Sequence, residues 1–111
     1  MLRPIPKSLM PSTAAVRVPM DGEGGGENAE EPQMIERVRY ESASAAKRSS
    51  YVFADGSTGV VYIDAANSIG AFEVPVGSLV SIDGAPEVCV VKCAPFADYA
   101  GHVHHWEVEV R

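Results

Sequence analysis

A chain of 111 residues has room for one small domain and a single core. Its hydrophobic share of 46% is ordinary for a globular protein, but with aromatic residues at 7% the core must rest on Val, Ile, Leu, Ala and Met. The formal net charge of −6 argues against a dedicated nucleic-acid binder, which would carry a basic face, but not against DNA that slides past.

Eight prolines and ten glycines favour short strands and turns over long helices. No run approaches the ~20 apolar residues of a membrane span, so no membrane partner is expected. Arg3 and Lys7 are followed by no apolar stretch, so the start of the chain does not read as a secretory signal.

Residues 1–11 carry Pro4, Pro6 and Pro11. Each fixes φ and removes a donor, which predicts an extended arm outside any sheet. Such an arm often lies on a neighbour, and Pro4, Ile5 and Pro6 are its candidate contact residues. The remaining residues, 12–111, read as one domain.

In 12–19, Ala14, Val16 and Val18 alternate with Thr13, Ala15 and Arg17, a first strand stopped by Pro19. Residues 21–32 hold five acids and four glycines and cannot pack a core, so they form a long loop. Residues 33–42 read as a second strand, antiparallel to the first. Met34, Val38 and Tyr40 fall on one face with Glu36 as an exception; Arg37, Arg39 and Glu41 fall on the other. The Ala-Ser stretch that follows allows at most a helical turn. It carries the one adjacent basic pair, Lys47 and Arg48, before Ser49 and Ser50. A short strand can begin at 51–53.

Residues 59–64 are dense in β-branched side chains and read as a strand buried on both faces. A turn follows over 65–70. Residues 78–82 and 85–93 flank Asp83-Gly84, a strong hairpin signal, although Pro86 implies a lengthened turn or an edge. Residues 95–101 form the last connection. In the closing strand, 102–111, His102, His104, Trp106, Val108 and Val110 share one face, and Val103, His105, Glu107, Glu109 and Arg111 the other. The hairpin 78–93 and the closing strand 102–111 make a three-stranded antiparallel meander. The whole closes most simply as a mainly β fold, a small antiparallel β-barrel or rolled sheet with long loops and an extended N-terminal arm.

Candidate chemistry is sparse. Cys89 and Cys93, four apart on one strand, should share a face about 13 Å apart, too far for a disulfide. They read as free, buried thiols, as suits a reducing cytoplasm. His102 and His104 can share a metal only with help that no neighbouring carboxylate or thiol supplies, so an interface role for the histidines is favoured. Glu107 and Glu109 read as a solvated or subunit-facing pair rather than an acid–base couple. The Gly-rich run at 22–26 is acidic, which is wrong for a phosphate loop. No residues assemble a nucleophile, base and oxyanion set, so no enzyme, cofactor or metal site is expected.

Several segments, in order, resemble a family of small tailed-phage virion proteins, the minor capsid proteins of the head–tail joining region. Leu2-Arg-Pro-Ile-Pro-Lys-Ser-Leu9 is similar to that family's P-x-P-K-x-L opening, and Glu36-Arg-Val-Arg-Tyr-Glu-Ser42 to its second-strand text. The hairpin around Ile82-Asp-Gly84 is similar to its f-n-G-x-x-y-x-V unit, and His104-His-Trp-Glu-Val-Glu-Val110 to its closing h-H-y-E-v-x-l. Loops 21–32 and 43–50 depart from the family's text.

The resemblance implies a head-completion or stopper protein of the virion neck, made in the host bacterial cytoplasm. Such a protein forms a homo-oligomeric ring, six copies favoured over twelve. The portal-adaptor connector protein would lie above it, a tail terminator or tail protein below, and double-stranded viral DNA would pass through the lumen. Free sheet edges and long loops would make ring formation stabilising. The lumen loop would be 43–57 or 21–32, with 43–57 favoured because Lys47, Arg48, Ser49 and Ser50 suit contact with the DNA end; Pro4, Ile5, Pro6, His104, His105 and Trp106 are the candidate subunit or partner interface. The alternatives are a tail terminator or tail-side joining protein and, in a different class, a small ligand- or nucleic-acid-binding β-barrel.

Overall fold

A computed structural model describes residues 3–20, 28–43 and 56–111. Among these, a 3-10 turn (Lys7–Leu9) precedes β1 (Ser12–Arg17), β2 (Gln33–Ser42), β3 (Gly59–Asp64), β4 (Leu79–Ile82), β5 (Val88–Ala97) and β6 (Val103–Val110). The strands close an antiparallel barrel in the order β1-β2-β3-β6-β5-β4. The β4-β5-β6 meander expected from the sequence is present. Among the described residues the expected free sheet edges are mostly closed, because β1 pairs with β4 and seals the cylinder. β5 beyond Cys89 is the chief stretch without a strand partner on its β4 side.

The core is a valine core. Among the described residues, eight of its eleven buried members are valine, joined by Ala14, Ile35 and Ile63. Branched at Cβ, valine has few rotamers to lose and suits a narrow barrel interior that large rings would overfill. Ala14 and Val16 enter it from β1, Val61 and Ile63 from β3, and Val108 and Val110 from β6, as alternation predicts. β3 is buried on both faces, with Val60 as fully covered as Val61.

Alternation fails where a strand bulges. In β2 the inward residues are Ile35 and Val38, three apart. Thr13 pairs with Glu36 and Ser12 with Val38, leaving Arg37 as the extra residue. Arg37 has φ of +62°, the left-handed conformation that lets a bulge turn the strand. The expected face of Met34, Val38 and Tyr40 is therefore corrected: Met34 points to solvent and Ile35 replaces it in the core.

β5 repeats the device. Val90 pairs with Val110 and Lys92 with Glu109, so Val91 is extra. Val88 and Val90 pack on the core before the bulge, and Cys93 packs on it after. Cys89 and Cys93, read as sharing a face, thus lie on opposite faces; both are partly buried and neither is bridged. β5 also runs further than expected, through Pro95 opposite Trp106 to Ala97. A proline is tolerated there because that flank of β5 has no strand to donate to.

Asp83 and Gly84 both have positive φ, as the expected tight turn requires, and Ala85 N–H donates to the Ile82 carbonyl at 2.9 Å. The β4–β5 ladder nevertheless stops at Val80–Val88, short of Pro86. The turn fastens to β1 instead. Asp83 N–H donates to the Thr13 carbonyl, and Thr13 N–H to the Asp83 carboxylate, both at 2.9 Å.

Candidate interaction site at the arm end of the barrel

The turn after β3 is built by one carboxylate. Asp64 Oδ2 accepts N–H groups from Ala66 at 2.9 Å and Asn67 at 2.7 Å, closing an Asx-type turn. Its other oxygen accepts the N–H of Ile5 at 2.9 Å, and Asn67 Nδ2 donates to the Ile5 carbonyl at 2.9 Å. Two side chains thus hold both backbone groups of Ile5 as a neighbouring strand would. Asp64 is fully buried, and these bonds satisfy its charge.

The arm is therefore extended over 3–6 and outside the sheet, as expected, but it rests on its own barrel. It then turns through Lys7–Leu9, a 3-10 turn not foreseen, and buries Met10 completely. Arg39 Nη1 donates to the Leu9 carbonyl at 3.2 Å while its Nε pairs with Glu41 at 2.9 Å. Ser68 ties the turn to β2: its Oγ accepts Asp64 N–H at 2.9 Å and donates to the carbonyl of Arg37.

His104 meets the arm from β6. Its Nε2 contacts the carbonyl of Arg3, and its Nδ1 lies 2.8 Å from Nδ1 of His105. His105 Nε2 lies 2.9 Å from Glu107 Oε2, and Phe96 stacks on the His105 ring with centroids 5.0 Å apart. Pro4, Asp64, Ala65, Ala66, Asp98, Val103 and His104 line a cleft of about 130 Å³ beneath the arm.

His102 does not join His104 as the alternation implied, because it lies in the turn before β6. Its N–H donates to Asp98 Oδ1 at 3.0 Å, and its ring is 4.0 Å from Asp98 Oδ2. Burial opposes ionisation of Asp98, yet the N–H groups of His102 and Ala100 prevail and hold it below the ordinary carboxylate range. Among the described residues, no group of three or more His, Cys, Asp or Glu is placed to hold a metal ion.

Of the residues singled out from sequence, Pro4, Ile5, His104 and His105 come together here. Pro6 is exposed on the arm, and Trp106 turns inward to pack against the core opposite Ile63 and Pro95. Among the described residues, the Trp106 indole N–H is a buried donor without a partner.

The opposite end of the β3–β6 pair holds the flanks of the second long connection. Ala43 N–H donates to the Thr58 carbonyl and Thr58 N–H to the Val110 carbonyl, both at 2.8 Å, so that connection leaves and returns beside the end of β6. Lys47, Arg48, Ser49 and Ser50 lie outside the described residues, as do the possible helical turn and the strand at 51–53. Glu109, read from sequence as solvated or subunit-facing, is 1% exposed. Ser57 Oγ donates to it at 2.9 Å, and Lys92 Nζ lies 3.9 Å away, brought opposite by the β5 bulge.

The structure adds an apolar surface that the sequence pattern concealed. Met34 is 52% exposed and Ile69 60%. Ile69 bonds Glu36 through both backbone groups, and Gly70 lies so close to the Met34 carbonyl that a Cβ there would meet it at 2.6 Å. Only the β2 bulge, which no residue type announced, turns Met34 outward.

A model of the minor capsid protein family matches residues 11–110, nearly the whole chain. No curated protein and no solved structure matches it. The ordered barrel, its bulges and its closing strand all lie inside the matched segment, and the chain belongs to the minor capsid protein family, the structural proteins of phage virions.

Proposed function

We propose that this protein is a head-completion, or stopper, component of the phage neck, forming a ring that closes the DNA channel after packaging and receives the tail. One observation carries the reading. The arm and the β2–β3 connection spring from opposite ends of the β3–β6 pair, at Asp64–His105 and Gly59–Val110. A subunit so built presents its docked-arm face to a neighbour at one end and a loop to the lumen at the other.

The closed barrel directs the subunit contacts. With β1 and β4 paired, strand addition is largely unavailable, so neighbours meet through side-chain surfaces. Met34, Ile69 and the arm residues Pro4, Ile5 and Pro6 supply one, and His104 and His105 flank it. On this reading the loop carrying Lys47 and Arg48 faces the lumen, so that two cations in an otherwise acidic protein meet the DNA end without gripping the duplex. Six copies fit this reading better than twelve, with the portal-adaptor connector above and a tail protein below.

Electron microscopy of lysates from a phage lacking this gene tests the assignment. Emptied heads beside free, complete tails are expected. DNA-filled heads without tails would move the role to tail docking alone, and normal virions would remove the connector role. Within the ring, deleting the 43–57 loop should release DNA while leaving the ring assembled.

A further inference from the structure

The arm is fastened by a hydrogen-bond chain whose proton count can be read from its ends. The chain runs from the Arg3 carbonyl to His104 Nε2, across His104 Nδ1 to His105 Nδ1 at 2.8 Å, and from His105 Nε2 to the Glu107 carboxylate at 2.9 Å. A carbonyl and an ionised carboxylate only accept, so both Nε2 atoms must carry protons. The central bond needs one proton between two nitrogens. The chain is complete with three protons on four nitrogens, that is, with one imidazolium shared by the pair and balanced by Glu107.

We propose that His104 and His105 act together as a proton-counted latch, which docks the N-terminal arm when the pair holds one positive charge and loosens it when that charge is lost. Take one proton away and the bonds compete. The Glu107 carboxylate keeps the proton on His105 Nε2, since a charge-assisted bond is the stronger. His105 Nδ1 is then a bare acceptor. The single proton of His104 serves either His105 or the Arg3 carbonyl; serving the arm leaves two lone pairs facing at 2.8 Å. Add a fourth proton and two N–H groups face each other instead. Docking is therefore strongest in a window, falling as pH rises through loss of the shared proton and falling again in acid.

The neighbours set the field around the latch. Asp64 stands opposite His105 on β3, and Tyr62 opposite Glu107. Phe96, uncharged, covers His105 from β5. Asp98 shares the cleft with His104, and His102 pairs with Asp98 from the preceding turn. The arm contributes the exposed side chains of Arg3 and Lys7.

The test follows imidazole nitrogen-15 shifts and hydrogen exchange of the Ile5 amide in the full chain from pH 5 to 8.5, with exchange corrected for its intrinsic pH dependence. The pair should release one proton as pH rises, with Ile5 protection falling at least several-fold in the same interval while the Val61 amide stays protected. His104→Gln should remove the pH dependence of Ile5, and His102→Gln should leave it in place. Ile5 protection that varies no more in the native chain than in H104Q, or that loses its pH dependence in H102Q, overturns the latch.

Discussion

The ring of Tyr40 lies across Gly59. A Cβ placed on Gly59 would sit 2.6 Å from the phenol oxygen and from Cε1. Tyr40 and Gly59 belong to neighbouring strands near the mouth of the β2–β3 connection, where Ser42 pairs with Gly59. A glycine inside a strand ordinarily weakens it; here the aromatic ring takes the space of the missing side chain.

Gly59→Ala should accordingly destabilise the barrel by about 1–2 kcal/mol, because Tyr40 must swing outward and lose its packing. In a Tyr40→Ala background the same substitution should cost close to nothing. Urea denaturation of the four proteins in this double-mutant cycle measures the coupling. Equal costs of Gly59→Ala in both backgrounds would show that the ring does not set the requirement for glycine.

Asp64 is the residue on which the arm depends. Asp64→Ala removes the acceptor for three backbone N–H groups at a fully buried position. A loss on the order of 3 kcal/mol is expected, since each orphaned donor costs about 1–3 kcal/mol and the exposed arm recovers part of it in water. Asp64→Asn, with one acceptor oxygen left, should fall between. Exchange of the Ile5 amide separates the two effects: in Asp64→Ala it should approach the unprotected rate while the Val61 amide remains slow.

Acid should weaken the β1–β4 seam first through Asp83. The Thr13 N–H and then the Ser12 hydroxyl hold its carboxyl below the ordinary range, against a smaller effect of burial. The folded form prefers the ionised carboxylate, so this stabilisation is present above the unfolded-state value of about 3.9 and is lost as pH falls below it. Asp83→Asn keeps a side chain that tolerates positive φ but removes the charge. Its stability should decline less steeply than that of the native protein between pH 4 and pH 2, by thermal melts at matched ionic strength. Parallel acid limbs would assign the dependence to other carboxylates.

Much of this fold is legible because its strands are written in alternation and closed by recognisable turns. Asp83-Gly84 announces a tight turn, and the β-branched density of 59–64 announces a strand covered on both sides. What escapes the sequence is whatever changes parity. Arg37 adopts a positive φ that long side chains seldom take, and Val91 is an unremarkable strand residue, yet each inverts the faces on one side of it relative to the other. Alternation alone therefore puts Met34 inward with Val38 and the two cysteines on a shared face. The arm's seat escapes for another reason. Ile5 and Asp64 are 59 residues apart, and nothing local to either names its partner. The proximity of Glu109 to Lys92 likewise exists only because the β5 bulge creates it.

That bulge gives the two thiols different chemistry. Cys93 turns toward the core, and burial raises its pKa above the free-thiol value, with Glu73 adding to the shift and the Val74 N–H opposing it. A thiol must ionise to react, so Cys93 should be slow on both counts, access and thiolate fraction. Cys89 lies on the outer face before the bulge. At pH 7.5 in the native protein a disulfide reagent such as Ellman's should titrate Cys89 first, with Cys93 at least tenfold slower, and urea should bring the two rates together. Mass mapping of the first modified cysteine decides the point. Modification of Cys93 ahead of Cys89 would mean that the bulge at Val91 is absent and that both cysteines share one face after all.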